Sequence, residues 1–195
     1  MHSNFQYNQY FLQKQALALT GIVRVFNDAG QLMLYSRQKM FRLREDIRVF
    51  SDESMTQELL YIQARNILDF SAAYDVIDST TQAKVGVLRR HGWRSMVRDE
   101  WDVLDANDQV LGVLWEDSKG RALLRRLLLG RLLPQDYDIL FDGQRVADLR
   151  QKFHLFRYEM TMDFSEDISH RFDHRLGIAA GILLAIIEGR QHDYS

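Results

Sequence analysis

Arg89, Arg90, Arg94 and Arg98 lie within ten positions of one another, with Trp93 among them. Guanidinium groups grip phosphate or carboxylate through paired N–H donors, and an indole beside them adds an apolar anchor. These five residues are therefore a candidate binding site for a phospholipid headgroup or another anion. On a strand, Arg94 and Arg98 share one face by period two. Asp99, Glu100 and Asp102 follow closely and offset much of the charge.

A second constellation is acidic. Asp163, Glu166 and Asp167 carry oxygens that could ligate a hard cation such as calcium. No glycine shapes a ligand loop among them, and carboxylates just ahead of a helix are favoured by its dipole alone. The reading is no metal and no cofactor, with calcium as the alternative. His170 and His174 are four apart, which on a helix would aim both imidazoles one way. No third ligand accompanies them, so they read as surface or capping histidines, and His91 and His154 as ordinary loop or core residues. Asp75, Asp102 and Asp138 recur at matched strand positions and read as architecture. Gly-x-Ser-x-Gly, Gly-x-x-x-x-Gly-Lys and His-Glu-x-x-His are absent, and there is no cysteine to act as nucleophile, thiolate ligand or disulfide partner. An enzyme is not expected.

The elements that must position these residues are mostly strands. Ile22–Phe26 and Gln31–Tyr35 alternate apolar and polar residues around Asn27-Asp-Ala-Gly30. The pattern returns at Tyr74–Asp78 with Val85–Leu88, and at Trp101–Asp105 with Leu111–Leu114. It returns again at Tyr137–Phe141 with Arg145–Leu149, where Asp142-Gly143 is the choice for a two-residue turn at positive φ. The unequal spacing of the copies argues for a meander of hairpins rather than a solenoid. Further strands near 10–14, 39–51, 57–66 and 155–164 bring the count to about twelve, enough to close a barrel. A single proline, Pro134, fits a strand-rich chain and ends a leucine- and arginine-rich helical segment near 118–133. That segment, with Arg121, Arg125, Arg126 and Arg131, could lie on an anionic bilayer, but it scatters its arginines round the helix and reads as packing over a barrel end.

Leu176–Ile187 is twelve residues without a charge. As a helix it would be about 18 Å long, short of the roughly 30 Å hydrocarbon core of a bilayer, yet it offers no polar face to water. It must be enclosed by protein, with Asp173 as N-cap and Gly189 as C-cap of a central helix over 173–189. The expected fold is mainly β: one domain over 10–190, an antiparallel barrel of about twelve strands around its own C-terminal helix. Residues 1–9 read as a frayed tail and 191–195 as an exposed stub. A net charge of −2 does not draw the chain to nucleic acid, and no secretory signal or spanning segment is evident. Cytoplasmic residence follows as the expectation, with peripheral membrane contact open; the oligomeric state cannot be read.

An all-β chain closing on an apolar helix, with Arg37-Gln-Lys-Met-Phe-Arg42, Asp46-Ile-Arg-Val-Phe50 and Gly86-Val-Leu-Arg-Arg90 in that order, resembles the tubby-like superfamily. Within it, the LURP-one-related proteins are the most similar. The resemblance covers roughly residues 10–190 and implies a tubby-like barrel acting as a non-catalytic binding or scaffold module toward lipid headgroups or a protein partner. The acidic segment Met162–Ser169 leading into the last helix also resembles phospholipid scramblases, which implies as an alternative a membrane-associated, calcium-dependent phospholipid-binding protein. The proline-rich region and cysteine cluster of scramblases are missing here.

Overall fold

A computed structural model describes residues 1–15, 20–39, 46–65, 72–91, 100–116, 134–152, 154 and 157–192. Alternating patterns become twelve strands. They are β1 (Gln9–Gln15), β2 (Thr20–Asn27), β3 (Leu32–Lys39), β4 (Ile47–Phe50), β5 (Glu58–Ala64) and β6 (Ala73–Asp78). The second half holds β7 (Ala83–Arg90), β8 (Glu100–Leu104), β9 (Val110–Glu116), β10 (Asp136–Phe141), β11 (Gln144–Lys152) and β12 (Arg157–Asp163). One helix follows, α1 (His174–His192). The helical expectation near 118–133 lies outside the described residues.

Every strand pairs antiparallel with its neighbours in sequence, and β1 pairs with β12, from Gln9 opposite Asp163 to Gln15 opposite Arg157, so the sheet closes into a barrel. Period-two alternation sends one set of side chains inward. On β1, Tyr10 and Leu12 are buried while Phe11 and Gln13 are half-exposed. Five hairpins, β2–β3, β4–β5, β6–β7, β8–β9 and β10–β11, each carry a register shift near the turn. Such bulges raise the local twist and help a sheet curl closed. The Asp142-Gly143 turn has φ of 49° and 75°, as the two-residue reading requires.

α1 runs inside the wall. Leu176, Ile178, Ile182, Leu183, Leu184 and Ile186 are each at most 2% exposed. Burying six such side chains contributes on the order of 9–18 kcal/mol, comparable to the whole net stability of a domain. Asp173 is the N-cap: its Oδ1 accepts from the backbone N–H of Arg175 at 3.0 Å. Gly189 is not a C-cap, because α1 continues through it to His192; a glycine inside a helix costs only about 1 kcal/mol.

The expected frayed tail is also corrected. Residues Ser3–Phe5 form a 3-10 turn, and Phe5 is 1% exposed in the core. Asn4 Nδ2 donates to the Met33 carbonyl at 2.6 Å, and Tyr10 Oη donates to the Asn4 carbonyl at 3.0 Å. Burial pushes the Tyr10 phenol well above its ordinary pKa. Phe5, Phe164 and Phe172 thus stop the barrel at the end where α1 begins. Sequence alone concealed this, because isolated aromatics among Asn and Gln have no periodicity to mark them.

Candidate functional site

The basic stretch begins at the end of β7. Arg89 stands opposite Asp102 of β8 and grips it with Nη2 at 2.6 Å and Nε at 3.0 Å, while a ring nitrogen of His91 lies 2.8 Å from the other carboxylate oxygen. Burial opposes ionisation of Asp102, but His91 and Arg89 outweigh it and hold the carboxyl below its ordinary range. Arg90 lays its guanidinium over the buried Trp101 ring, 5.8 Å from the centroid. Arg89 is therefore committed to a neighbouring strand, and Trp93, Arg94 and Arg98 lie outside the described residues. Asp75 and Asp138 serve the wall in the same way as Asp102, pairing with Arg65 and with Arg145.

The three carboxylates weighed for calcium turn to three different tasks. Asp163 accepts from the Ser165 backbone N–H at 2.8 Å and from Gln9 Nε2 at 2.9 Å. Glu166 pairs with Arg145. Asp167, 3% exposed, accepts from the backbone N–H of Arg171 at 3.2 Å and of Phe172 at 2.9 Å, tying down the approach to α1. Among the described residues no group of three or more His, Asp or Glu side chains is arranged to hold a metal ion.

The histidine pair does not share a helix face. His170 precedes α1 with φ of 48°, while His174 opens α1, buried and stacked on Phe164 at 4.4 Å between ring centroids. Burial holds the His174 pKa below its ordinary value, against the opposing pull of Asp167. One residue on, Arg175 reaches Asp78 at the β6–β7 turn.

Sequence reasoning missed a concavity on the described wall. A groove of about 770 Å³ lies outside β11, β12, β1 and β2. Its floor is Phe11 and Phe26, directly opposite each other on β1 and β2 and both half-exposed. On one side the Lys152 ammonium sits over Phe11, 5.3 Å from the ring centroid. On the other side stand Asp163 and Asp28. The signal was present in the outward-facing Phe11 and Phe26, but their partnership depends on the β1–β2 register, which no local pattern prints.

In sequence, charge differs between the two sets of connecting segments. The turns 28–31, 51–57, 79–82, 105–109 and 142–143, together with 164–173, hold nine carboxylates and one arginine. The strands' opposite ends are joined by segments 16–19, 40–45, 66–71, 92–99, 117–133 and 153–156, of which only His154 is among the described residues. In sequence those six segments hold eight arginines and one lysine against four carboxylates, and each contains at least two large apolar residues. No helix among the described residues is long and apolar enough to cross a membrane. The family model described as LURP-one-related matches residues 32–185, from β3 into α1. No curated protein and no solved structure matches the chain.

Proposed function

Because the chain belongs to the LURP-one-related family, we propose that it is a non-catalytic binding module that engages its partners from outside the barrel, with anionic phospholipid headgroups at the end carrying the arginine-rich connections. α1 fills the interior, so a ligand must meet the outer surface or an end. The observation that carries the lipid reading is the division of charge. Apolar and basic residues joined in one set of segments are what an anionic bilayer surface attracts, whereas the carboxylate-rich turns would be repelled by it.

Co-sedimentation tests this, using vesicles of phosphatidylcholine alone or mixed with phosphatidylserine, with and without calcium, at low and high salt. The expected result is pelleting with the anionic vesicles only, independent of calcium and reversed by salt. Replacing Arg94 and Arg98 together by Glu should weaken it. Absence of pelleting would overturn the proposal. Pelleting that requires calcium and is accompanied by lipid transfer would replace it with the scramblase-like alternative.

A further inference from the structure

The wall groove runs along the outer face from Asp28 and Asp163 beside the turns to Lys152, the last residue of β11, and carries its own chemistry. Its floor is apolar and aromatic, while its two sides differ in sign. Lys152 is exposed, and its ammonium pairs with no carboxylate among the described residues; the Phe11 ring is its contact. The other cation of the groove, Arg150, is committed to Asp148 at 2.7 Å and Asp136 at 3.2 Å. Across the floor, Asp28 is exposed without a partner among the described residues, and Asp163 is held ionised: burial opposes this, but the Ser165 and Gln9 hydrogen bonds keep its carboxyl below the ordinary range.

The register supplies a length. Asp163 stands opposite Gln9 on β1, and Lys152 belongs to the row of Glu159 and Gln13. Gln9 and Gln13 are four residues apart on one strand, about 13 Å at roughly 3.3 Å per residue. Phe11 lies midway, and Lys152 leans toward it. An extended peptide of three or four residues spans the same distance, and a groove of this volume falls within the range of ordinary ligand sites, roughly 300–1,000 Å³. Because the barrel is closed, such a peptide cannot add as an extra strand; it must be recognised through side chains.

We propose that this groove binds a short extended peptide segment of a partner protein, one that places an acidic side chain against Lys152, apolar or aromatic side chains on Phe11 and Phe26, and a basic side chain toward Asp28 and Asp163. A peptide with like charges at both ends meets repulsion on one side whichever way it runs. A dipolar peptide satisfies both sides in one of its two directions. This gives the molecule a protein-binding wall independent of any membrane contact at its end, so the inference stands or falls separately from the vesicle experiment.

The test is an NMR titration of the ¹⁵N-labelled full chain with terminally blocked tetrapeptides: Glu-Leu-Phe-Lys, Glu-Leu-Phe-Glu, Lys-Leu-Phe-Lys and Gln-Leu-Phe-Gln. Glu-Leu-Phe-Lys should perturb the amides of Phe11, Phe26 and Thr161 and bind about fivefold more tightly than either like-charged peptide, the size expected of one exposed ion pair. Lys152→Glu should shift the preference by about fivefold toward Lys-Leu-Phe-Lys, and Asp28→Lys toward Glu-Leu-Phe-Glu. Both residues are exposed, so both variants should melt like the parent. Failure of every peptide to move those amides, equal affinity for all four, or an unchanged preference in both variants would overturn the proposal. So would perturbation of the same amides by phosphatidylserine vesicles alone.

Discussion

Arg175, the second residue of α1, places its Nη1 2.5 Å from Asp78 Oδ2 at the end of β6, with side-chain exposures of only 17% and 6%. The pair joins the core helix to the wall at the point where the helix enters. Asp173 holds the other side of the same guanidinium, with its Oδ2 2.6 Å from Nη2, while the Thr80 hydroxyl and backbone N–H and the Thr81 N–H donate to Asp78 Oδ1. Asp78→Ala leaves Arg175 with Asp173 alone and takes the acceptor from the Thr80 and Thr81 donors. It is expected to cost about 1–3 kcal/mol, read as a fall in the urea midpoint with little change in slope. A loss below 1 kcal/mol would mean that water already reaches the pair.

His174 gives stability a pH dependence of known sign. Its folded pKa lies below the ordinary 6.5, mainly because burial opposes the charge. The unfolded chain therefore binds the proton first, and stability is fully present above about pH 6.5 and declines as pH falls toward the folded pKa. Urea melts at pH 7, 6 and 5 should show this slope, and His174→Phe, which keeps a ring on Phe164, should flatten it.

Below that range the carboxylates take over. Hydrogen bonds and ion pairs hold the carboxyls of Asp78, Asp102 and Asp163 below the usual range despite burial, and Arg65 and Lys84 take Asp108 down to about 2. Each contributes stability that is present above about pH 4 and lost as pH falls through the folded value. Acid unfolding followed by circular dichroism should therefore centre below pH 4. Asp102→Asn should remove part of the slope below pH 4.

Gly112 marks a place where two backbones meet. A Cβ there would collide with the Leu140 carbonyl oxygen, and one on Gly86 would meet the Leu104 carbonyl. A backbone oxygen cannot swing aside as a side chain can, so Gly112→Ala should destabilise by about 1–3 kcal/mol. Gly143→Asn, at the open Asp142-Gly143 turn, should be far milder, and thermal melts of the two variants make the comparison.

Removing residues 173–195 deletes the helix and leaves the inward faces of the strands without their filling. The truncated chain is expected to be insoluble or unfolded. A soluble product with a cooperative melt would show that the wall can collapse on itself.

Much of the barrel was legible because its signals are local. Tyr74–Asp78 and Trp101–Asp105 repeat one apolar-polar-apolar-apolar-Asp pattern, turn residues punctuate the hairpins, and the uncharged run from Leu176 has no tolerable place except an interior. What escaped were relationships between distant segments. Phe5 looks like part of a polar tail until the fold brings Phe164 and Phe172 to the same barrel end. Arg89 looks like a free cation until the β7–β8 register sets it against Asp102. Gly189 looks like a stop, yet the helix runs past it to His192. The groove of Phe11, Phe26 and Lys152 draws on four strands from both ends of the chain and has no contiguous motif to betray it.

The joining of β1 to β12 also shapes how the molecule assembles. Eleven of its twelve seams link consecutive segments and can zip from nearby turns. The last must bring Gln9 to Asp163, 154 positions away. Loop entropy grows only slowly with such a span, but the search is long, and it leaves half-built sheets with open rims for its duration. The rate of reaching the native state should accordingly be set by that one seam, and the hazard of clumping should be greatest just before it shuts.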